Sequence, residues 1–293
     1  MAAEGRSHAA WLPAAALVLN ALTWGVSWWP FRQLQALGLH PLWATVVIYL
    51  LAVGVITAWR PQAWRELVRT PALWVLVLAS GTTNATFNWG VTVGDVVRVV
   101  LLFYLMPLWA VLLARVVLGE PLRPSALLRV VMALLGAAIV LWPEGGGAPL
   151  PRSLAEWLGV LGGFTFALNN VMLRREAARP EAARALAMFL GGALVAGAAG
   201  LALSAQGLVP GLPAPAAPWL LGVLGLGLVF LVGNAALQFG AARLPANVTA
   251  VIMITEVLFA SVSAALFGAG QITLPLAVGG TLIVGATLLS ARG

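Results

Sequence analysis

A lone carboxylate inside an apolar span is the first place to look for chemistry. Glu256 lies in ANVTAVIMITEVLFASVSAALF, Ala246–Phe267, which holds no other ionisable group. The stretch is long enough to cross a bilayer. Glu256 sits ten residues beyond its start. At about 1.5 Å per residue that is ~15 Å deep, the middle of a ~30 Å hydrocarbon layer. A charge there is costly unless it faces protein, water or a partner, so function is the default reading. The rival reading is a protonated, structural Glu bonded to a neighbouring helix.

Amides at membrane depth are the next candidates. Asn84 and Asn88 are four residues apart and share one helix face, which Thr92 extends. Asn234 and Gln238 repeat the arrangement later in the chain. An unsatisfied polar group in hydrocarbon costs several kcal/mol, so each needs a partner. Two walls that hydrogen-bond a polar substrate would satisfy them. So would a helix–helix seam, at ~0.6–2 kcal/mol per contact. The cavity is the reading preferred here.

Asn20, Thr23, Trp24 and Ser27 form a stripe, as do Thr165 and Asn169. Trp24 falls mid-membrane, where a large ring suits an aromatic or apolar ligand, or packs against lipid or a helix. Tyr104 is followed by Pro107, which frees a backbone carbonyl and makes a candidate hinge or a static kink. Arg98 follows Asp95 by three residues near the outer mouth and is read mainly as its ion-pair partner, with attraction of a substrate carboxylate as the second reading. An enzyme is not expected. The two histidines, His8 and His40, lie in a tail and a loop, cysteine is absent, and no metal-ligand cluster stands out. No cofactor or metal is expected.

The elements that position these residues follow from composition. With 61% hydrophobic and 9% charged residues, the 293-residue chain cannot cover a soluble surface. Its apolar runs are about twenty residues long and lack strand alternation, which means an all-α integral membrane protein. The pattern predicts ten transmembrane helices: Trp11–Phe31, Leu42–Trp59, Ala72–Val91, Val96–Leu118, Ser125–Trp142, Leu154–Leu173, Arg184–Leu203, Pro218–Phe239, Ala246–Phe267 and Leu274–Ser290. The Gly- and Pro-rich stretch 143–153 is a linker between residues 1–142 and 154–293, with five spans on each side.

All sixteen basic residues are arginine. Arg6, Arg60, Arg65, Arg69, Arg115, Arg123, Arg129, Arg174, Arg175, Arg179, Arg184, Arg243 and Arg292 fall on the side of the N-terminus. Arg32, Arg98 and Arg152 fall on the other. Thirteen against three puts both termini in the cytoplasm. The arginines cluster between spans, which fits membrane topology and argues against nucleic acid. The partners expected are a small-molecule substrate and the lipid bilayer, with room for a homo-oligomer.

Five spans per half make any internal repeat an inverted one. At an offset of 149, Pro107 falls on Glu256, Gly119 on Gly268 and Gly136 on Gly285. At 150, Gly90 falls on Gly240, Asn84 on Asn234 and Asn88 on Gln238. At 143, Arg32 falls on Arg175 and Ser27 on Asn170. Two inverted five-helix repeats are therefore expected.

The end of each half resembles the EamA-type repeat of the drug/metabolite transporter superfamily. The first half carries LMPLWAVLLARVVLGEPL, Leu105–Leu122, then ALLGAAIVLW, Ala133–Trp142. The second carries ITEVLFASVSAALFG, Ile254–Gly268, then GGTLIVGATLL, Gly279–Leu289. It lacks a proline after Glu256, and Ala269 stands where a Glu would follow Gly268. Length, cytoplasmic termini and a Trp-rich first span most resemble the YddG-type amino-acid exporters. The resemblance implies a basket in which spans one, three, four, six, eight and nine surround the cavity and spans five and ten pack behind. It implies export of amino acids, aromatic or apolar ones, across a bacterial inner membrane by alternating access. A carrier of another metabolite or drug in the same fold is the alternative, and a membrane enzyme the more distant one.

Overall fold

The computed structural model describes residues 4–119, 124–142, 148–241, 243, 252–253 and 255–290. Those residues are helical with short turns and no strand. Helix satisfies every backbone donor and acceptor within its own segment, as hydrocarbon requires. In chain order the helices are α1 (Glu4–Val26), α2 (Trp28–Ala36), α3 (Pro41–Trp59), α4 (Gln62–Arg69), α5 (Pro71–Val93), α6 (Val96–Phe103) and α7 (Met106–Leu118). After these come α8 (Pro124–Leu141), α9 (Leu154–Arg175), α10 (Glu181–Ala205), α11 (Ala217–Ala241), α12 (Thr255–Leu266) and α13 (Leu274–Ser290). Among the described residues, four stretches, Pro41–Trp59, Val96–Leu118, Glu181–Ala205 and Ala217–Leu237, are long and apolar enough to cross a membrane. With the composition, they make the chain an integral membrane protein.

Two expected spans are broken, each for a local reason. The first stops at Ser27, whose Oγ donates to Trp24 O at 2.8 Å. Its N–H donates to the same carbonyl at 3.2 Å, which tightens the turn before α2 starts. The fourth stops at Tyr104–Leu105. Pro107 is thus not mid-helix, as expected, but in the first turn of α7, where its missing N–H costs no ladder bond. The backbone closes the turn with Leu108 N–H donating to Leu105 O at 3.0 Å. A third difference is α4. The arginine-bearing loop after α3 is itself a short helix that buries Ala63 and Leu67 and exposes Arg65, Val68 and Arg69. Glu120, residues 143–147 of the linker and residues 246–251 and 254 of the ninth span lie outside the described residues.

Helix ends are chemically marked. Pro41 and Pro71 open α3 and α5. Ser153 and Glu156 form a reciprocal capping box on α9. Asp95 caps α6 by accepting from Arg98 N–H at 2.8 Å. Gly119 and Gly268, paired by the offset of 149, both have positive φ, 71° and 67°. Each ends its helix in the left-handed region that glycine enters without a Cβ penalty.

Helices from before and after the linker are interleaved. The α5 helix packs on α9 and α10, α1 on α11 and α12, α3 on α10, and α8 on α13. Small residues permit the closest crossings. A Cβ at Gly191 in α10 would run into Val77 O of α5. One at Gly136 in α8 would lie 2.6 Å from Gly279 O of α13.

Candidate functional site

The interleaving brings six helices to one buried cluster. Trp24 of α1 stacks on Phe230 of α11 with ring centroids 4.7 Å apart. It also meets Phe87 of α5 edge-on at 6.2 Å. Phe87 meets Phe103 of α6 at 4.9 Å, and Phe103 meets Phe166 of α9 at 5.2 Å. Beside Phe103, the Tyr104 O–H donates to Glu256 Oε2 of α12 at 3.1 Å. These helices belong to spans one, eight, three, four, six and nine. Edge-on and offset contacts of this kind each add about 0.5–1.5 kcal/mol beyond burial.

Glu256 is 8% exposed and Tyr104 3%. The Tyr104 hydroxyl lies 3.4 Å from Met253 O as well, its counterpart at the offset of 149. Asn20, one turn before Trp24 on α1, donates from Nδ2 to Met253 Sδ at 3.5 Å, a weak contact. Its Oδ1 is buried with no partner among the described residues. The α1 and α12 helices come this close because Gly25 has no side chain. A Cβ there would lie 2.8 Å from Glu256 O. A carboxyl, a phenol and an amide with spare acceptor capacity thus share one end of an aromatic cluster.

The other amides are placed differently. Asn84 Oδ1 accepts from Tyr49 O–H of α3, and its Nδ2 donates to Ser80 O at 2.8 Å. Asn88 Nδ2 donates to Thr45 Oγ1 of α3 at 3.0 Å. Both bonds hold the α3–α5 seam, while Asn88 Oδ1 stays buried without a partner among the described residues. Asn169 is buried in α9, and its Nδ2 donates to Asn170 Oδ1 at 3.4 Å. Thr165, one turn earlier, shares a 2.9 Å hydrogen bond with Thr83 of α5. Asn234 is half-buried in α11, one turn after Phe230. Gln238 follows it in α11, and its side chain, like that of Pro107, lies outside the described residues. Ser27 bonds locally to Trp24 O and makes the helix break.

One pairing is corrected. Arg98 does not pair with Asp95. Its Nε lies 2.7 Å from Glu156 Oε1 on α9, because Asp95 is occupied in capping α6. The same end of the molecule holds further ties. Arg32 donates to Thr92 O at 3.0 Å and Gly94 O at 2.6 Å. Val96 N–H donates to Ala269 O at 3.3 Å, and Gln271 N–H to Asp95 Oδ2 at 3.4 Å. These contacts join α2, the α5–α6 turn, α9 and the α12–α13 turn.

Phe87, Phe103, Phe166 and Phe230 were not among the candidates read from the sequence. An apolar ring in an apolar span carries no signal of its own. Spacing held the only hint: Phe87 is three residues from Asn84, Phe230 four from Asn234, and Phe103 adjoins Tyr104.

Comparison with known proteins agrees with the first half of this architecture. Residues 11–142 match the model of the EamA-like transporter family. An uncharacterized transporter of Pseudomonas aeruginosa is 33% identical over 119 residues, which cover 39% of this chain and 37% of that protein. A solved crystal structure superposes with a TM-score of 0.59 at 19% identity, covering 95% of this chain and 96% of its own. That likeness is one of fold. The chain is thus similar, from the first span through the fifth, to the EamA-like transporter family.

Proposed function

We propose that the protein is a secondary transporter that exports amino acids, aromatic or apolar ones, or similar small metabolites. It works by alternating access between two inverted five-helix halves, residues 1–142 and 154–293, in a bacterial inner membrane with both termini cytoplasmic. The observation that carries this reading is the Tyr104–Glu256 hydrogen bond between the halves, at the edge of an aromatic cluster drawn from six helices. The family match to residues 11–142 supports transport over catalysis.

In this mechanism Glu256 and Asn20 Oδ1 accept from the substrate ammonium, and Tyr104 releases its bond to Glu256 as the substrate arrives. Trp24, Phe87, Phe103 and Phe230 enclose the apolar side chain. Asn84, Asn88, Asn169, Asn234, Gln238 and Ser27 are wall positions, exposed as the helices part. The breaks at Ser27 and before Pro107 are the flexing points. The Arg98–Glu156 pair closes the outer end while the inner end is open.

The test is flux of labelled phenylalanine, leucine and glutamate in proteoliposomes of the purified full chain. Saturable movement of phenylalanine or leucine, chemically unchanged and faster than glutamate, is expected. Flux indistinguishable from empty liposomes for all amino acids would shift the substrate to another metabolite or drug.

A further inference from the structure

The arginines of α4 and its flanks share a cavity. Arg60, Arg65 and Arg69 line a pocket of about 360 Å³ together with Gln62, and Pro180 and Ala182 at the start of α10 close its far side. Glu66 also lines the pocket, but Arg179 already occupies it at 3.0 Å. No carboxylate among the described residues lies within ion-pairing distance of Arg60, Arg65 or Arg69. Three guanidiniums therefore line one open cavity whose carboxylate, Glu66, is already paired with Arg179, an excess of positive charge that favours an anion there.

The surroundings indicate where that anion comes from. The pocket begins where α3 ends, at Trp59, whose ring is 80% exposed. Val68, on the outer face of α4, is 68% exposed. Trp64, between them, is half-buried and donates from Nε1 to Thr57 Oγ1 of α3 at 2.9 Å, which fixes α4 against the end of the span. A short helix that buries Ala63 and Leu67 inward, shows Val68 outward and carries arginines between is built for the headgroup layer. Tryptophan at a span end marks the same depth. The guanidinium fork matches phosphate oxygens in bidentate fashion.

We propose that the Arg60–Arg65–Arg69 pocket binds the phosphate of an anionic phospholipid headgroup. The lipid would tie α4 to the start of α10, since the pocket has residues of both on its walls. The adjoining cavity of about 470 Å³, lined by Arg60, Pro180 and Glu181, leaves space for the glycerol part of such a headgroup. The proposal requires only that the chain sits in a membrane and is independent of what it transports.

The test is thermal unfolding of the purified full chain in detergent with three probes: dioctanoyl phosphatidylglycerol, dioctanoyl phosphatidylcholine and inorganic phosphate. A ligand at 100 times its Kd stabilises the folded state by about 2.7 kcal/mol, a shift of a few degrees in Tm. Phosphatidylglycerol should give that shift, and phosphatidylcholine and phosphate should not. In the variant Arg60→Gln/Arg65→Gln/Arg69→Gln the phosphatidylglycerol shift should vanish. In Arg115→Gln, an arginine outside the pocket, it should remain. Should the triple variant not fold, Arg65→Gln alone, at an exposed position, should lower the apparent affinity at least threefold. An equal shift with inorganic phosphate would overturn the lipid assignment in favour of a free-anion site. An undiminished phosphatidylglycerol shift in the variants would overturn the pocket itself.

Discussion

At the scale of single residues, Glu256 decides the most. A carboxyl this buried is stable either neutral, as a partner for the Tyr104 hydroxyl, or ionised beside a cation. The structure supplies the phenol as its partner, which suits the state without substrate. Glu256→Gln keeps an oxygen for Tyr104 to donate to and removes the charge that a substrate ammonium would meet. The variant should melt within a few degrees of wild type and lose at least ~10-fold in flux, equivalent to about 1.4 kcal/mol. Its remaining flux should no longer depend on pH. Normal stability, normal rate and an unchanged pH profile together would remove Glu256 from the mechanism. The sequence singled out Glu256 because one charge in an apolar span stands out. For Asn84 and Asn88 it favoured a cavity only slightly over a seam, because an amide satisfies either. Their bonds to Tyr49 and through Thr45 are contacts with α3, which no local pattern encodes.

At the scale of elements, the structure rests on close helix crossings and on caps. Gly191 in α10 and Gly54 in α3 make a matched pair. A Cβ at Gly191 meets backbone of α5, which cannot move aside as a side chain would. A Cβ at Gly54 meets nothing within 4 Å. Gly191→Ala should cost about 1–3 kcal/mol through overpacking. Gly54→Ala should be neutral or stabilise by up to about 1 kcal/mol through helix propensity. Unfolding of both variants in the same detergent checks the contrast. His40 gives an element-level pH effect. It caps α3 by accepting from Leu42 N–H on Nδ1 at 3.3 Å, and burial lowers its pKa from the ordinary value. Protonation would abolish the acceptor, so the neutral form is the folded one. The contribution is full above about 6.5, the unfolded value, and is lost as pH falls below it through the lower native value. His40→Asn, which keeps a cap acceptor without titrating there, should reduce that slope in Tm between neutral and mildly acid pH. An identical slope in the variant would exclude the cap as its source. The all-helical, membrane-embedded character was legible in the sequence because composition and the length of the apolar runs report it directly. The breaks at Ser27 and Tyr104 were not, since each depends on a few hydrogen bonds inside one continuous apolar run. The α4 helix was hidden by its brevity and charge.

At the scale of the whole molecule, helices from before and after the linker pack as one interleaved body. The offset of 149 pairs two positive-φ glycines, Gly119 and Gly268, and brings Tyr104 against Met253. The glycine spacing was readable in the sequence, and the arginine bias gave an expected topology, whereas the meeting of six helices at Trp24 and Phe103 needed the packing. In the proposed cycle this meeting point opens to water on each side in turn and holds the substrate between. The chain contains no cysteine, so one can be placed without background. Asn20→Cys puts it beside Met253, at a residue only 1% exposed here. The most direct measurement is the rate at which this cysteine, in oriented proteoliposomes, reacts with a membrane-impermeant maleimide added to either face, with and without a transported amino acid. Reaction is expected from both faces, slowed several-fold by substrate at saturating concentration and unaffected by an amino acid that is not transported. A cysteine that never reacts, or that reacts from one face only at a rate indifferent to substrate, would contradict that cycle.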